Sequence, residues 1–213
     1  MSIDDEWETL PLRRVPTQTR SRAKVVRALT AADRLLRTEG PDALNLPRVA
    51  AAADVSVGAL YQYLPDRDAI TLALIARYHA RLERLFDDAI AQTARDAPPA
   101  DPVAHVIDAV AGIYRDQEPV RALRGVSTTT AGDEDRLAHK QRVSAKVAEL
   151  LRVSGLSPDR ASAGTERIAR VAFLAADAVL HDAFAASVDE RDALLAELQR
   201  MLTRYLRPDA PDA

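Results

Sequence analysis

Residues 45–70, NLPRVAAAADVSVGALYQYLPDRDAI, decide the fold. Asn45 stands where a side-chain oxygen can accept from the first open backbone donors of a helix. Pro47 falls in the first turn, where a missing N–H costs little. Val49, Ala50 and Ala53 recur at helical spacing and give one narrow apolar face. Asp54 marks the point where the chain must turn, and Asp tolerates the left-handed backbone better than most residues. Ser56 caps a second helix that carries Leu60 and Leu64 inward, four residues apart. Pro65-Asp66 closes that helix and caps the next. Two short helices joined by a tight turn make a helix-turn-helix, a unit that presents its second helix to the DNA major groove.

Outward from this stretch the pattern stays helical. A helix is expected from Thr17 or Thr19 to Glu39, with Val25, Leu29, Ala32, Leu35 and Leu36 as its buried stripe and Gly40-Pro41 as its stop. From Asp66 to about Arg95 the residues Ile70, Leu74, Tyr78, Leu82, Leu85, Ala89 and Ile90 hold a continuous 3–4 spacing. The run 97–102, APPADP, is a plain break. Beyond it helices are expected at about 102–117, 119–127, 134–153, 157–187 and 188–206. Asp101-Pro102 and Glu118-Pro119 place Pro at first helical positions, and Ser187 opens a capping box with Glu190. The Thr- and Gly-rich stretch 124–135 reads best as a loop. No segment alternates with period two, so the fold class is all-α, without strands. The domains are expected as a structureless arm over 1–15, a helix-turn-helix domain over 16–65, a larger helical domain over 66–207 and a tail over 208–213.

Composition narrows the function classes. The chain of 213 residues has no Cys, which excludes a disulfide framework, a thiolate metal site and a thiol nucleophile. The first ten residues, MSIDDEWETL, are acidic and lack the apolar core of a secretory signal. The most apolar stretch, Val171–Leu180, is interrupted by Asp177 and too short to span a bilayer. A cytoplasmic protein is expected. There is no GxGxxG, no HExxH and no P-loop, and His79, His105, His139 and His181 lie far apart, so no cofactor, no metal and no catalytic residues are expected.

The net charge of −3 argues against general polyanion binding, but Arg13, Arg14, Arg20, Arg22, Lys24, Arg27, Arg34 and Arg37 cluster against Asp33 alone. Abundance of Arg by itself says little, because the whole chain has only three Lys and uses Arg nearly everywhere. The clustering beside the motif is the signal, and it points to a DNA-facing surface.

The motif also carries a family resemblance. Val49-Ala50, then Val55-Ser56-x-Gly58-x-Leu60-Tyr61-x-Tyr63-Leu64, then Asp66-Arg67 resembles the DNA-binding signature of the TetR family of bacterial repressors. The pattern is long and positionally strict, and the match covers about residues 20–75. The remainder is similar to that family only in being all-helical and of the right length. The sequence departs from the usual Gly, Phe and Lys at Asp54, Leu64 and Arg67, where a turn-tolerant residue, an apolar plug and a cation keep the physical roles. The resemblance implies an N-terminal helix-turn-helix domain and a C-terminal helical domain for ligand binding and dimerisation. It also implies phosphate contacts from Tyr61, Tyr63 and Arg67.

Other site residues follow from position. Ser56 and the open N–H groups behind it can hold a phosphate. Arg48, on the first motif helix, is either a further phosphate contact or a solvated surface residue. For Tyr61 and Tyr63 the alternative is ordinary packing with the hydroxyl in water. The outward residues Val57, Gly58, Ala59 and Gln62 are the candidate base readers. Only Gln62 can make the bidentate contact that suits adenine. This is a sparse set for direct readout, so help is expected from DNA shape or from Arg13, Arg14 or Arg20 in a minor groove. For Arg13 and Arg14 a mobile arm that binds nothing specific is an equal alternative.

A homodimer on a pseudo-palindromic DNA site is expected, because one such module buries too little surface for a tight site. Ile168, Ala172, Ala175, Val179 and Ala183 form a small-residue face, and Leu194, Leu198, Met201, Leu202 and Tyr205 a larger stripe. These faces serve either the dimer or the subunit's own core. Candidates for an effector pocket are Tyr78, Phe86, His105, Tyr114, Phe173, Asp177 and His181. Asp177 and His181 share a helix face and can pair, in the core or at a ligand. Few aromatics favour an aliphatic pocket for a hydrophobic or amphipathic small molecule. The expected function is a sequence-specific DNA-binding regulator, a repressor released by such a ligand and not an enzyme. Control by a protein partner is the alternative, and an all-helical enzyme the more distant one.

Overall fold

A computed structural model of the chain describes residues 10–95, 101–116, 123, 130–156 and 162–206. Within them the helices are α1 (Thr19–Glu39), α2 (Leu46–Ala52), α3 (Val57–Tyr61), α4 (Arg67–Arg95), α5 (Pro102–Asp116), α6 (Thr130–Val153), α7 (Ser162–Ala183) and α8 (Val188–Tyr205), with a 3₁₀ turn at Pro41–Ala43. The chain forms two compact units. The first holds residues 1–80 and 117–135, the second 81–116 and 136–213. Helices α4 and α6 each contribute to both.

In the first unit local chemistry sets each boundary. Gly40, at φ +83°, ends α1, and its N–H donates to Leu36 O at 3.1 Å. The Asn45 side chain accepts from Arg48 N at 3.1 Å and starts α2. That helix closes with two bonds, Asp54 N–H to Ala51 O at 3.2 Å and Val55 N–H to Ala50 O at 3.0 Å, around Asp54 at φ +53°. This is a Schellman closure, in which the left-handed residue is ordinarily Gly. Ser56 Oγ accepts from Ala59 N at 3.3 Å to start α3, and Asp66 Oδ1 from Ala69 N at 2.8 Å to start α4. α2 packs against α1 and α3, and the stripe of α1 is buried as its spacing predicts. Leu29, Val49, Leu60 and Leu64 are fully enclosed. Each Leu so buried stabilises the fold by about 1.5–3 kcal/mol relative to exposure.

Residues 10–15 depart from the expected structureless arm. Leu10 is buried, and the Arg13 N–H donates to Tyr63 O at 3.0 Å. One backbone bond ties this segment to the motif; residues 1–9 lie outside the described residues, as do 207–213 of the tail.

In the second unit α7 packs on α8 and α8 on α5. Ser187 caps α8 by accepting from Glu190 N at 3.4 Å. Gly155, at φ +68°, ends α6 with a second Schellman pair, Leu156 N–H to Leu151 O at 3.0 Å and Gly155 N–H to Arg152 O at 3.2 Å. The stretch 124–135 is not a loop throughout, because α6 begins at Thr130. Within the first unit His79 Nδ1 lies 3.1 Å from Asp135 Oδ2, a tertiary bond that sequence periodicity does not reveal. The helix expected at 157–187 runs from Ser162 to Ala183, and residues 184–186 turn through short backbone bonds such as Ala185 N–H to Asp182 O at 3.0 Å. Its expected start at 157–161 lies outside the described residues, as does all of the 119–127 helix except Leu123. No helix among the described residues is long and apolar enough to cross a membrane.

Candidate nucleic-acid interface and ligand cavity

α3, which Ser56 caps, turns one face to solvent. Val57 is 43 % exposed and Tyr61 50 %. Ser56, Gly58 and Gln62 are also exposed, while Ala59 and Tyr63 are half-buried. A Cβ at Gly58 would meet nothing within 4 Å, so the fold itself does not demand glycine there. A glycine spared by its own fold fits a surface that a second molecule approaches closely.

Two predicted phosphate contacts already have partners within the chain. Arg48 pairs with Glu39. Arg67 Nη2 donates to Pro41 O at 3.0 Å and meets Asp42 Oδ1 at 3.4 Å, tying the start of α4 to the 3₁₀ turn. Arg13 is held as well. Its guanidinium lies 5.4 Å from the centre of the Tyr61 ring, which places a cation on the exposed edge of α3.

The cationic cluster divides by role. Arg34 Nη2 reaches Ala52 O, the last carbonyl of α2, at 3.5 Å, and Arg27 Nη2 reaches Asp54 O in the turn that follows at 3.4 Å. Arg37 pairs with Asp33 at 2.9 Å, and Arg22 Nε donates to Pro16 O at 3.1 Å. Part of the clustering thus builds the domain. Arg14 and Arg20 are exposed and Lys24 half-buried on the same segment.

The second unit holds a partly open cavity of about 90 Å³. Its walls are α4 (Leu82, Phe86), α5 (Pro102 to Tyr114), α6 (Val147 to Ser154), α7 (Ala172 to Leu180) and α8 (Leu202), with Leu156 and Leu206. Nearly every wall atom is apolar, and Tyr114, Ser154 and Asp177 bring the polar groups. Ser154 Oγ is buried without a hydrogen-bond partner among the described residues.

Of the pocket candidates, Phe86, Tyr114, Phe173 and Asp177 line this cavity, and three do not. Tyr78 is buried in the first unit, its ring centre 5.8 Å from that of His79. His105 is exposed on the opposite side of α5 and lines a separate open groove with Arg81 and Arg84. His181 is exposed, one residue past the stripe that faces the cavity. At the polar end of the cavity Asp177 accepts from two residues that helical spacing alone does not reveal. The Tyr114 hydroxyl donates to Asp177 Oδ1 at 2.9 Å, and Lys140 Nζ donates to Oδ2 at 2.9 Å. Lys140 carried no sequence signal, because α6 has no clear apolar stripe against which to judge its facing.

A second polar network holds α6 to α4 within this unit. His139 Nδ1 lies 2.8 Å from Glu83 Oε1, Arg142 Nε donates to both Glu83 oxygens at 3.0 and 3.1 Å, and Lys146 pairs with Asp87. Burial pushes the Glu83 carboxyl up, but the hydrogen bonds from His139 and Arg142 and their charges outweigh it and hold the carboxyl below its ordinary value.

The expected dimer stripes are split. Ala172, Ala183, Leu198 and Leu202 are buried in the subunit's own core, so for these four the core alternative is the correct one. Ile168, Ala175, Val179 and Leu194 are half-buried, and Met201 and Tyr205 are exposed. Val171 and Leu174, which lay outside the expected stripe, are exposed large apolar residues of α7. The outward face is therefore rotated by about one residue, because the inward face of α7 lines the cavity.

Capped helix-turn-helix and separate helical cavity together define a class, the helical DNA-binding regulators with an effector domain. The sequence pattern of bacterial regulatory proteins of the tetR family matches residues 28–74, and that of the tetracyclin repressor-like C-terminal domain matches residues 98–206. The chain belongs to the TetR family and is a DNA-binding transcriptional regulator, not an enzyme. Solved structures share the fold. A TetR-family regulator from Pectobacterium atrosepticum is 15 % identical, with 92 % of this chain and 99 % of that one covered at a TM-score of 0.67. FadR from Thermus thermophilus, a TetR-family repressor solved with lauroyl-CoA, is 24 % identical over 88 % and 98 % of the two chains at 0.60. A regulator from Streptomyces coelicolor is 26 % identical over 86 % and 97 % at 0.55. No curated protein matches the chain.

Proposed function

We propose that the protein is a dimeric, cytoplasmic, sequence-specific repressor released from a pseudo-palindromic operator by a small, mainly apolar ligand. The observation that carries this reading is α4. One unbroken helix starts at the Asp66 cap of the motif and carries Leu82 and Phe86 into the cavity wall. A ligand that favours a different setting of α4 shifts the spacing of two recognition helices away from one DNA turn, about 34 Å, and operator affinity falls. The Thermus thermophilus repressor, solved with lauroyl-CoA, supports a ligand that carries an aliphatic chain.

On the DNA side, Ser56, Tyr61, Tyr63, Arg48 and Arg67 serve as phosphate contacts, and Val57, Gly58, Ala59 and Gln62 face base edges. Arg48 and Arg67 exchange or share their present carboxylate partners with phosphate. Val171, Leu174, Met201 and Tyr205 contribute apolar surface to the dimer. The test is substitution. Tyr61→Ala and Arg67→Ala weaken binding to every sequence and lower the salt slope by about one unit each, whereas Gln62→Ala alters preference at one position. Unchanged DNA affinity in all three variants removes the assignment.

A further inference from the structure

Resting on the DNA-contact reading above, we infer that residues 10–16 form a fixed strap beside α3, and that Arg13, which the strap holds over Tyr61, is a further phosphate contact of the operator. Two bonds tie the strap: the Arg13 N–H donates to Tyr63 O at 3.0 Å, and Arg22 Nε donates to Pro16 O at 3.1 Å. Leu10 and Pro16, at its ends, are buried, while Arg13, Arg14 and Val15 between them are exposed. The strap is thus ordered before DNA arrives, and less conformational freedom is lost on binding.

Charge separates Arg13 from other cations of the domain. Arg37, Arg48 and Arg67 meet the carboxylates of Asp33, Glu39 and Asp42, and a phosphate has to compete with these. Arg27 and Arg34 reach backbone carbonyls. Arg13 has a ring for its partner, with its guanidinium 5.4 Å from the centre of Tyr61, a residue 50 % exposed. Contact with a ring engages the cation without using its N–H donors. Those donors meet no carboxylate among the described residues. Arg13 and the Tyr61 hydroxyl therefore present a charged fork beside a neutral donor, a pair that suits a phosphate. Arg14 is exposed as well, but no contact among the described residues fixes its side chain, so it serves as the control.

The test is binding of the full chain, unaltered and as Arg13→Ala, Arg13→Lys, Arg14→Ala and Tyr61→Ala, to an operator selected from a random DNA pool, over a series of salt concentrations. Thermal melts check that each variant is folded. Arg13→Ala weakens binding about tenfold or more, the worth of one hydrogen bond to a charged group, and lowers the salt slope by about one unit per subunit. Arg13→Lys keeps the slope but loses about threefold or more in affinity, because an ammonium lacks the planar fork. Arg14→Ala, an exposed and screened charge, changes affinity about threefold or less. A loss in Arg13→Ala with the slope unchanged means that Arg13 only places Tyr61, and overturns the inference. Equal losses in Arg13→Ala and Arg14→Ala mark diffuse charge instead of a held contact, and overturn it too. Arg13→Ala binding as the unaltered protein does, with Tyr61→Ala weakened, overturns the inference and leaves the motif reading standing. Unchanged binding in both variants overturns both.

Discussion

Around α3, each start is set by a side chain that bonds a backbone N–H three residues ahead: Asn45 to Arg48, Ser56 to Ala59, Asp66 to Ala69. Around the cavity, the bond that orients the polar end joins Tyr114 to Asp177, 63 residues apart. The first region is built from local chemistry and the second from packing, and this governs what each can tolerate. A cap can be changed without disturbing a neighbour more than a turn away. A cavity residue cannot move without shifting a second or third helix.

The same difference governed what could be read from residues alone. Cap residues, the left-handed Asp54 and the stripe of α1 have signatures a few positions long, and all stand where the sequence places them. Lys140 and Glu83 have no such signature. Their partners come from other helices, and only the crossing of α4, α6 and α7 decides them. His105 and His181 misled for the converse reason. Type and helical spacing made them candidates, but a helix's facing is settled by its neighbours, and both are exposed. Ala172 and Ala183 of the expected dimer stripe lie in the subunit's own core because α7 carries apolar residues on two sides, one of which lines the cavity.

Substitutions sharpen this contrast, the largest first. Leu64→Ala, at a fully buried site, costs about 2–5 kcal/mol in chemical denaturation and abolishes DNA binding. Glu83→Gln weakens charged hydrogen bonds to His139 and Arg142 and costs about 1.5–3 kcal/mol. Because the folded Glu83 carboxyl titrates below its ordinary 4.5, its contribution is full above pH 4.5 and is lost as pH falls through the lower folded value. The unaltered protein therefore loses stability on acidification below that point more steeply than Glu83→Gln, a difference that thermal melts across the acid range resolve.

In the local region the effects are smaller. Asp54→Val forces a β-branched residue into the left-handed backbone and costs about 1–2 kcal/mol, while Asp54→Gly is close to neutral. Ser56→Ala removes the cap of α3 and costs about 1 kcal/mol, read by hydrogen exchange at Ala59 and Leu60. Arg13→Ala loses the exposed cation over Tyr61, about 0.5–1 kcal/mol, and leaves the helices intact. A Ser56→Ala loss that spread through the second unit as far as the Glu83 network would break the distinction between the two regions.

The most direct test of the central claim is a titration of the full chain against the DNA site it selects from a random pool, at two salt concentrations, with and without octan-1-ol, a small, mainly apolar probe. The account predicts a palindromic site, an affinity that falls steeply with salt and falls again when octanol fills the cavity. A compound shown to occupy the cavity that leaves operator affinity unchanged at both salt concentrations would contradict it.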